Sequence, residues 1–215
     1  MRYTYGMGLQ RKGQSRAPLF FGLGLLLLGA YVLVTSLSPA LPNWTVDSQA
    51  TAKKLTVTQP TIGENRLYIP QINVDIAIVE VTGSESAALD KGAIHRSPSS
   101  GNPVGGGNYV LAAHRFTMGA TPAQTRQKSP FYQIDQVVVG DQLYVDYDGV
   151  RYVYRVTEKR TVAATEVSIE ERTDSAQLTV YSCTLSGSRD GREVLIAKPV
   201  GTVAWEDGTP KIKTF

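Results

Sequence analysis

The chain falls into one segment that is apolar on every side and a long remainder in which apolar and polar positions alternate in short runs. Residues 17–37 carry no charge and read, from Leu19, Leu-Phe-Phe-Gly-Leu-Gly-Leu-Leu-Leu-Leu-Gly-Ala-Tyr-Val-Leu-Val. Unbroken apolarity over that length predicts a helix of about 30 Å, enough to cross a bilayer core. From Arg66 onward the pattern becomes short runs rich in β-branched residues, at 67–69, 74–81, 109–113, 142–147, 150–162, 177–182 and 193–199. Such runs predict strands. Asp148-Gly149, between two of them, is a hairpin signal. Residues 84–90 predict one short helix with Ser84 as its cap, and 130–134 a helical turn. Three stretches read as loops: 99–108, with four glycines and Pro103, then 116–128, with Gly119 and Pro122, and the Gly-Ser stretch 184–191. Residues 38–60 are polar and proline-bearing without periodicity, which predicts a linker. Short strands joined by glycine-rich turns predict a mostly-β domain, closed or sandwiched, from about residue 61 to 215.

The charges place this domain. Arg2, Arg11, Lys12 and Arg16 precede the apolar run, with no acidic residue among them. The positive-inside rule then expects residues 1–16 in the cytoplasm, 17–37 as a single transmembrane helix and everything after Leu37 outside the cell. Ser38-Pro39-Ala40 offers small residues for the rival, a cleaved signal peptide. The length of the apolar run favours a retained anchor, and both readings export the domain. The net charge of +3 is an effect of the tail: without its four basic residues the basic count drops from 22 to 18, against 19 acidic. A nearly neutral exported part does not argue for nucleic acid.

Composition leaves one cysteine, Cys183, which cannot form an internal disulfide. It remains open to an intermolecular bridge, a buried apolar role or a reactive thiol. It lies in Leu178-Thr179-Val180-Tyr181-Ser182-Cys183-Thr184, with Arg192 nine positions on and His114 sixty-nine positions upstream, each at the edge of a strand-like run. A thiol, a histidine and an arginine so placed suit a nucleophilic site. His95 is the only other histidine. Arg189 is the alternative arginine, but it sits in the expected loop, whereas Arg192 opens a run that plausibly pairs with the cysteine strand. Arg115 follows His114 directly, and strand alternation points it away. One cysteine and two histidines make no zinc cluster at familiar spacing. Gly105-Gly106-Gly107 precedes a strand and is no phosphate loop. No metal or cofactor is expected.

Five segments in order carry a resemblance: Leu67-Tyr68-Ile69-Pro70, Leu89-Asp90-Lys91-Gly92-Ala93-Ile94-His95, Gly107-Asn108-Tyr109-Val110-Leu111-Ala112-Ala113-His114-Arg115, the cysteine run above, and Arg192-Glu193-Val194-Leu195-Ile196. Over roughly residues 64–201 the chain resembles the sortases, the cysteine transpeptidases that attach proteins to the bacterial cell wall. It departs in having Ser182 where the family usually has threonine, and Ala113 where it often has glycine. The resemblance implies an eight-stranded closed β-barrel with short helices, preceded here by the transmembrane helix. It implies Cys183 as nucleophile, His114 as acid and base, Arg192 as oxyanion or substrate-backbone donor, and His95 packed near the site without carrying the proton. The implied partners are secreted proteins bearing a C-terminal sorting motif, and a peptidoglycan-precursor or pilin amine that resolves the thioester. With no Asp-Pro-aromatic lid and no second apolar segment, the expectation is a housekeeping-like or single-substrate enzyme. An exported cysteine peptidase and a non-catalytic anchored β-barrel binding module are the alternatives.

Overall fold

The computed structural model describes residues 17–40, 50–206 and 208–215. The expected cytoplasmic tail, 1–16, and residues 41–49 of the expected linker lie outside the described residues. The chain divides into an N-terminal unit ending at Val34 and a second unit, Thr35–Phe215. Helix α1, Ala17–Leu37, carries a span at Pro18–Leu37 that is long and apolar enough to cross a membrane.

The second unit is built on ten strands: β1 Arg66–Ile69, β2 Val74–Val79, β3 Ala93–His95, β4 Gly101–Asn102, β5 Gly106–Ala112, β6 Gln142–Tyr147, β7 Val150–Ala163, β8 Gln177–Thr184, β9 Gly187–Glu206 and β10 Thr209–Thr214. Eight of them close a ring. The path β9-β7-β6-β1-β2-β3-β5 is joined end to end by β8, which pairs with β5 and with β9. β4 and β10 are appended strands, on β5 and β9. Closure removes the open edges of the ring. The expected eight-stranded closed barrel with short helices is the fold observed.

Strand alternation sorts the core into two clusters. The larger takes one or more side chains from each ring strand, among them Leu67, Leu111, Val145, Leu178 and Leu195, and fills the barrel. The smaller lies on the outer face of β3, β5, β8 and β9, with Ile94, Val110, Ala112, Tyr181, Val194 and Ile196. Helix α3, Glu85–Leu89, capped by Ser84 as expected, and a 3-10 turn, Ser168–Glu170, cover it through Ala88 and Ile169. Two backbone details explain motif residues. Asp148 and Gly149 both take positive φ, +48° and +79°, the primed turn that matches strand twist between β6 and β7. A Cβ on Gly92 would meet the Ala77 carbonyl oxygen at 2.2 Å, so the approach to β3 against β2 requires glycine.

Three elements differ from the sequence expectation. Helix α2, Ala50–Val57, lies inside the stretch read as linker. It is tied to the barrel unit: Thr51 Oγ1 donates to Asn73 Oδ1 at 2.6 Å, Lys54 pairs with Asp75, and the Leu55 carbonyl accepts from Arg151. Helix α4, Pro122–Gln127, occupies the expected loop 116–128, with Thr121 capping the Gln124 N–H and Pro122 in its first turn. The C-terminal residues extend β9 and add β10 as a hairpin, with Trp205 opposite Pro210. All three bury few apolar side chains, which is the signal that periodicity reads.

Arg151 is the anchor of that side of the barrel. It is fully buried, holds Asp146 through two hydrogen bonds of 2.6 and 2.7 Å, donates to Leu55 at 2.7 Å, and lies 5.1 and 5.3 Å from the Tyr68 and Trp205 ring centroids. Removing one partner of a buried ion pair strands the other charge, at a cost of about 3–5 kcal/mol. Asp146→Ala is therefore expected to lower unfolding free energy by that amount in urea titration; a loss under about 1 kcal/mol would contradict the account of Arg151.

Candidate active site

The candidate residues come together through strand register. β8 pairs antiparallel with β9 so that Cys183 and Arg192 are direct partners. β8 pairs in parallel with β5 as far as Ala112 opposite Tyr181, and His114 lies two residues beyond that pair on one strand as Cys183 does on the other. Neighbouring strands are about 4.8 Å apart. Alternation gives all three side chains one face. His114 continues Val110 and Ala112, Cys183 follows Tyr181, and Arg192 precedes Val194 and Ile196, all members of the outer cluster. Arg115 takes the opposite parity: it is buried and donates to Asp135 at 2.7 Å.

The register is locked next to the candidate residues. Ser182 is buried, and its hydroxyl donates 2.8 Å to the Ala113 carbonyl, so the residue before Cys183 is tied to the residue before His114. The Ala113 N–H donates to the Tyr181 carbonyl at 3.4 Å, and the His114 carbonyl accepts from Phe131 at 3.2 Å.

His114 is a quarter exposed. Burial first, with the Lys128 charge acting the same way, holds its imidazolium below the ordinary histidine range; Asp90, 3.8 Å from Nε2, pulls in the opposite direction. Asp90 in turn accepts a 2.6 Å hydrogen bond from Lys128, which keeps its carboxyl below its usual range. A neutral imidazole near neutral pH is able to accept a thiol proton. Cys183 is partly exposed, which a nucleophilic role would require.

Arg192 is held by the β8–β9 connection. Register jumps from Cys183↔Arg192 to Thr184↔Gly187, so residues 188–191 bulge from β9. Arg192 Nη1 donates to the carbonyls of Ser188 and Gly191 at 2.7 and 3.0 Å, and Thr184 Oγ1 donates to Asp190 at 2.7 Å. The expected loop 184–191 is in fact this bulged hairpin, with Arg189 exposed within it.

His95 lies on β3, buried, with Nδ1 2.9 Å from Glu80 Oε1 and Nε2 3.2 Å from the Gly101 carbonyl. Both ring nitrogens are engaged away from Cys183. Two cavities of about 480 and 510 Å³ are lined by none of Cys183, His114 or Arg192. Among the described residues no three His, Cys, Asp or Glu side chains group as metal ligands. Asp90 and Lys128 escaped the sequence reading, because charges 38 residues apart leave no local pattern.

The model of the Sortase domain matches residues 67–200, more than half of the chain. The chain belongs to the sortase family. His114, Cys183 and Arg192 all fall in the matched residues. Sortase A of Listeria monocytogenes is 32% identical over 118 residues, covering 54% of this chain and 47% of that protein, so the match spans about half of that relative's length. The crystal structure of Listeria monocytogenes sortase A covers 69% of this chain and 90% of its own, at 26% identity and a TM-score of 0.54. Sortase C-1 of Actinomyces oris covers 63% and 72%, at 27% and 0.53. A Clostridium perfringens Sortase D5 transpeptidase is similar in fold, with a TM-score of 0.53 at 22% identity.

Ser182 offers a test of the register lock. Ser182→Ala is expected to lose about 1 kcal/mol of stability, and Ser182→Thr to retain it, in matched denaturant titrations. Equal stability of Ser182→Ala and wild type would show that the hydroxyl does not hold the strands.

Proposed function

We propose that this chain is a membrane-anchored cysteine transpeptidase that cleaves a C-terminal sorting motif of secreted proteins and passes the acyl group to an amine. The observation that supports it is the cross-strand pairing of Cys183 with Arg192, with His114 two residues past the end of the adjoining parallel strand. Amides are poor electrophiles, so exchanging one without ATP favours a covalent intermediate. The Cys183 thiol gives its proton to His114 as sulfur attacks the motif carbonyl. The C–N bond breaks, and the leaving amine takes that proton from His114. The thioester keeps the acyl group activated. An incoming peptidoglycan-precursor or pilin amine attacks it, loses a proton to His114, and sulfur departs to recover that proton. The Arg192 guanidinium, clamped on one side by Nη1, turns its remaining N–H groups to the oxyanion or the substrate backbone.

The proposed organisation follows from the same reading. Residues 1–16 form a cytoplasmic tail, 17–37 the membrane anchor, and 61–215 an extracellular catalytic domain. The basic residues before α1 support that orientation. The segment 38–60 carries the domain away from the bilayer, with α2 docked on the barrel unit.

The deciding experiment follows a sorting-motif peptide and an added amine by mass spectrometry. Wild type is expected to form the amide product in proportion to amine, and Cys183→Ala to fold and form none. Retained transfer in Cys183→Ala would remove the nucleophile; cleavage that ignores the amine would make the protein a cysteine peptidase. The two arginines give a second test. Preplaced oxyanion donors are worth about 3–4 kcal/mol, and lysine keeps charge without the planar fork. Single-turnover acylation is expected to fall by two to three orders of magnitude, roughly, in Arg192→Lys and to stay near wild type in Arg189→Lys. The opposite order would move the donor role to Arg189.

A further inference from the structure

The carboxylate of Asp90 faces two cations' worth of chemistry at once. Asp90 caps the C-terminus of α3, its backbone N–H donating to the Ala88 and Ser86 carbonyls. Its side chain reaches beyond the helix in two directions: Oδ2 to Lys128 Nζ at 2.6 Å, and Oδ1 towards His114 Nε2 at 3.8 Å. Lys128 is itself the C-cap of α4. His114 is therefore flanked by the ends of two short helices, one bringing a carboxylate and the other an ammonium. On the strand side, Cys183 lies as far beyond the last β5–β8 pair as His114 does, with Arg192 its partner on β9. Asp90 is the one acidic group in that set.

At 3.8 Å, Asp90 and His114 are too far apart for a hydrogen bond. With the imidazole neutral, nothing draws the carboxylate from Lys128. A charged imidazolium changes the balance, since Nε2–H then carries part of a full positive charge a short rotation away. The geometry points to Asp90 as a positioning residue for acyl transfer: paired with Lys128 at rest, it turns to Nε2 of His114 whenever the imidazole takes up the Cys183 proton. This rests on the reading of His114 as acid and base. The proton count is simple. Nε2 keeps its hydrogen throughout and donates it to Asp90 only while the ring is charged. Nδ1 accepts the thiol proton and later releases it to the leaving amine. Asp90 accepts a hydrogen bond and never the proton. In the charged ring that bond fixes the imidazolium orientation, so Nδ1–H is held ready for the leaving amine.

The opposing pulls of Asp90 and Lys128 on His114 have the signs this role requires: the carboxylate favours the imidazolium and the ammonium disfavours it. Burial and Lys128 keep the resting ring neutral, and Asp90 limits the cost of charging it. Nearly two-fifths of the Asp90 side chain is exposed, and its capping bonds come from the backbone, so a neutral isostere leaves the fold in place.

The test uses the full-length protein in detergent micelles, in wild type, Asp90→Asn, Asp90→Glu and Lys128→Met. Imidazole NMR titration follows two histidines, with His95 as internal reference. The His114 midpoint is expected to move down in Asp90→Asn and up in Lys128→Met while His95 stays in place. In steady-state transfer, Asp90→Asn is expected to lose about tenfold in kcat, with KM changed less than about twofold, and its activity to be partly restored by Asp90→Glu. A wild type that transfers acyl groups beside an Asp90→Asn variant with unchanged kcat and unchanged His114 midpoint overturns the Asp90 assignment alone. A wild type that transfers nothing overturns the proposed transpeptidase activity, and the role given to Asp90 with it.

Discussion

The parallel pairing of β5 with β8 is the constraint on which the rest depends. It closes the ring of strands, and its continuation past Ala112 and Tyr181 decides what stands next to Cys183. In a sheet, a slip of one residue sends every side chain to the other face. Here that slip would turn His114 into the barrel and bring Arg115 out beside the thiol. Two polar contacts guard against it. At one end Ser182 donates to the Ala113 carbonyl. At the other, buried Asn108 accepts from Thr179 at 2.7 Å and donates to the carbonyls of Ile169 and Glu171, both at 2.9 Å. Asn108 thereby joins the strand pair to the 3-10 turn over the outer cluster, so the wall beside the candidate site and its floor share one anchor.

The outer face also has an electrostatic frame. Glu170, on that turn, accepts from the Tyr181 hydroxyl, from Arg96 and from Ser97, and Arg96 continues to Glu85 on α3. Tyr181 stands two residues before Cys183, so the two covering elements and the cysteine strand are held by one chain of charged hydrogen bonds. The far side of the barrel uses a buried pair instead, Arg151 with Asp146, and gathers α2, β6, β7 and the C-terminal hairpin around it.

Much of this was legible in the chain before any coordinates. The β6–β7 hairpin was written in its alternation and in Asp148-Gly149, and Ser84 announced α3. The partnership of Cys183 with Arg192 followed from two strand-like runs nine residues apart in register. The parts that escaped share a physical reason. Helices α2 and α4 and strand β10 owe their place to a few polar contacts, such as Thr51 on Asn73 and Thr121 on Gln124, not to an apolar face. The bulge at 188–191 depends on Arg192 reaching back to two carbonyls, and Asp90 meets Lys128 across distant segments. Tertiary polar contacts of that kind leave no periodic trace. The surroundings of His114 were therefore only half visible: the strands carried a pattern, and the helix ends that flank His114 carried none.

The central claim is that Cys183 carries the acyl group. The direct measurement is the intact mass of the full-length protein after brief mixing with a sorting-motif peptide and no added amine, followed by peptide mapping. The account predicts a single adduct equal to the acyl fragment, located on Cys183 and released by hydroxylamine as a thioester. Product formation with no adduct at Cys183, or an adduct on any other residue, would contradict it.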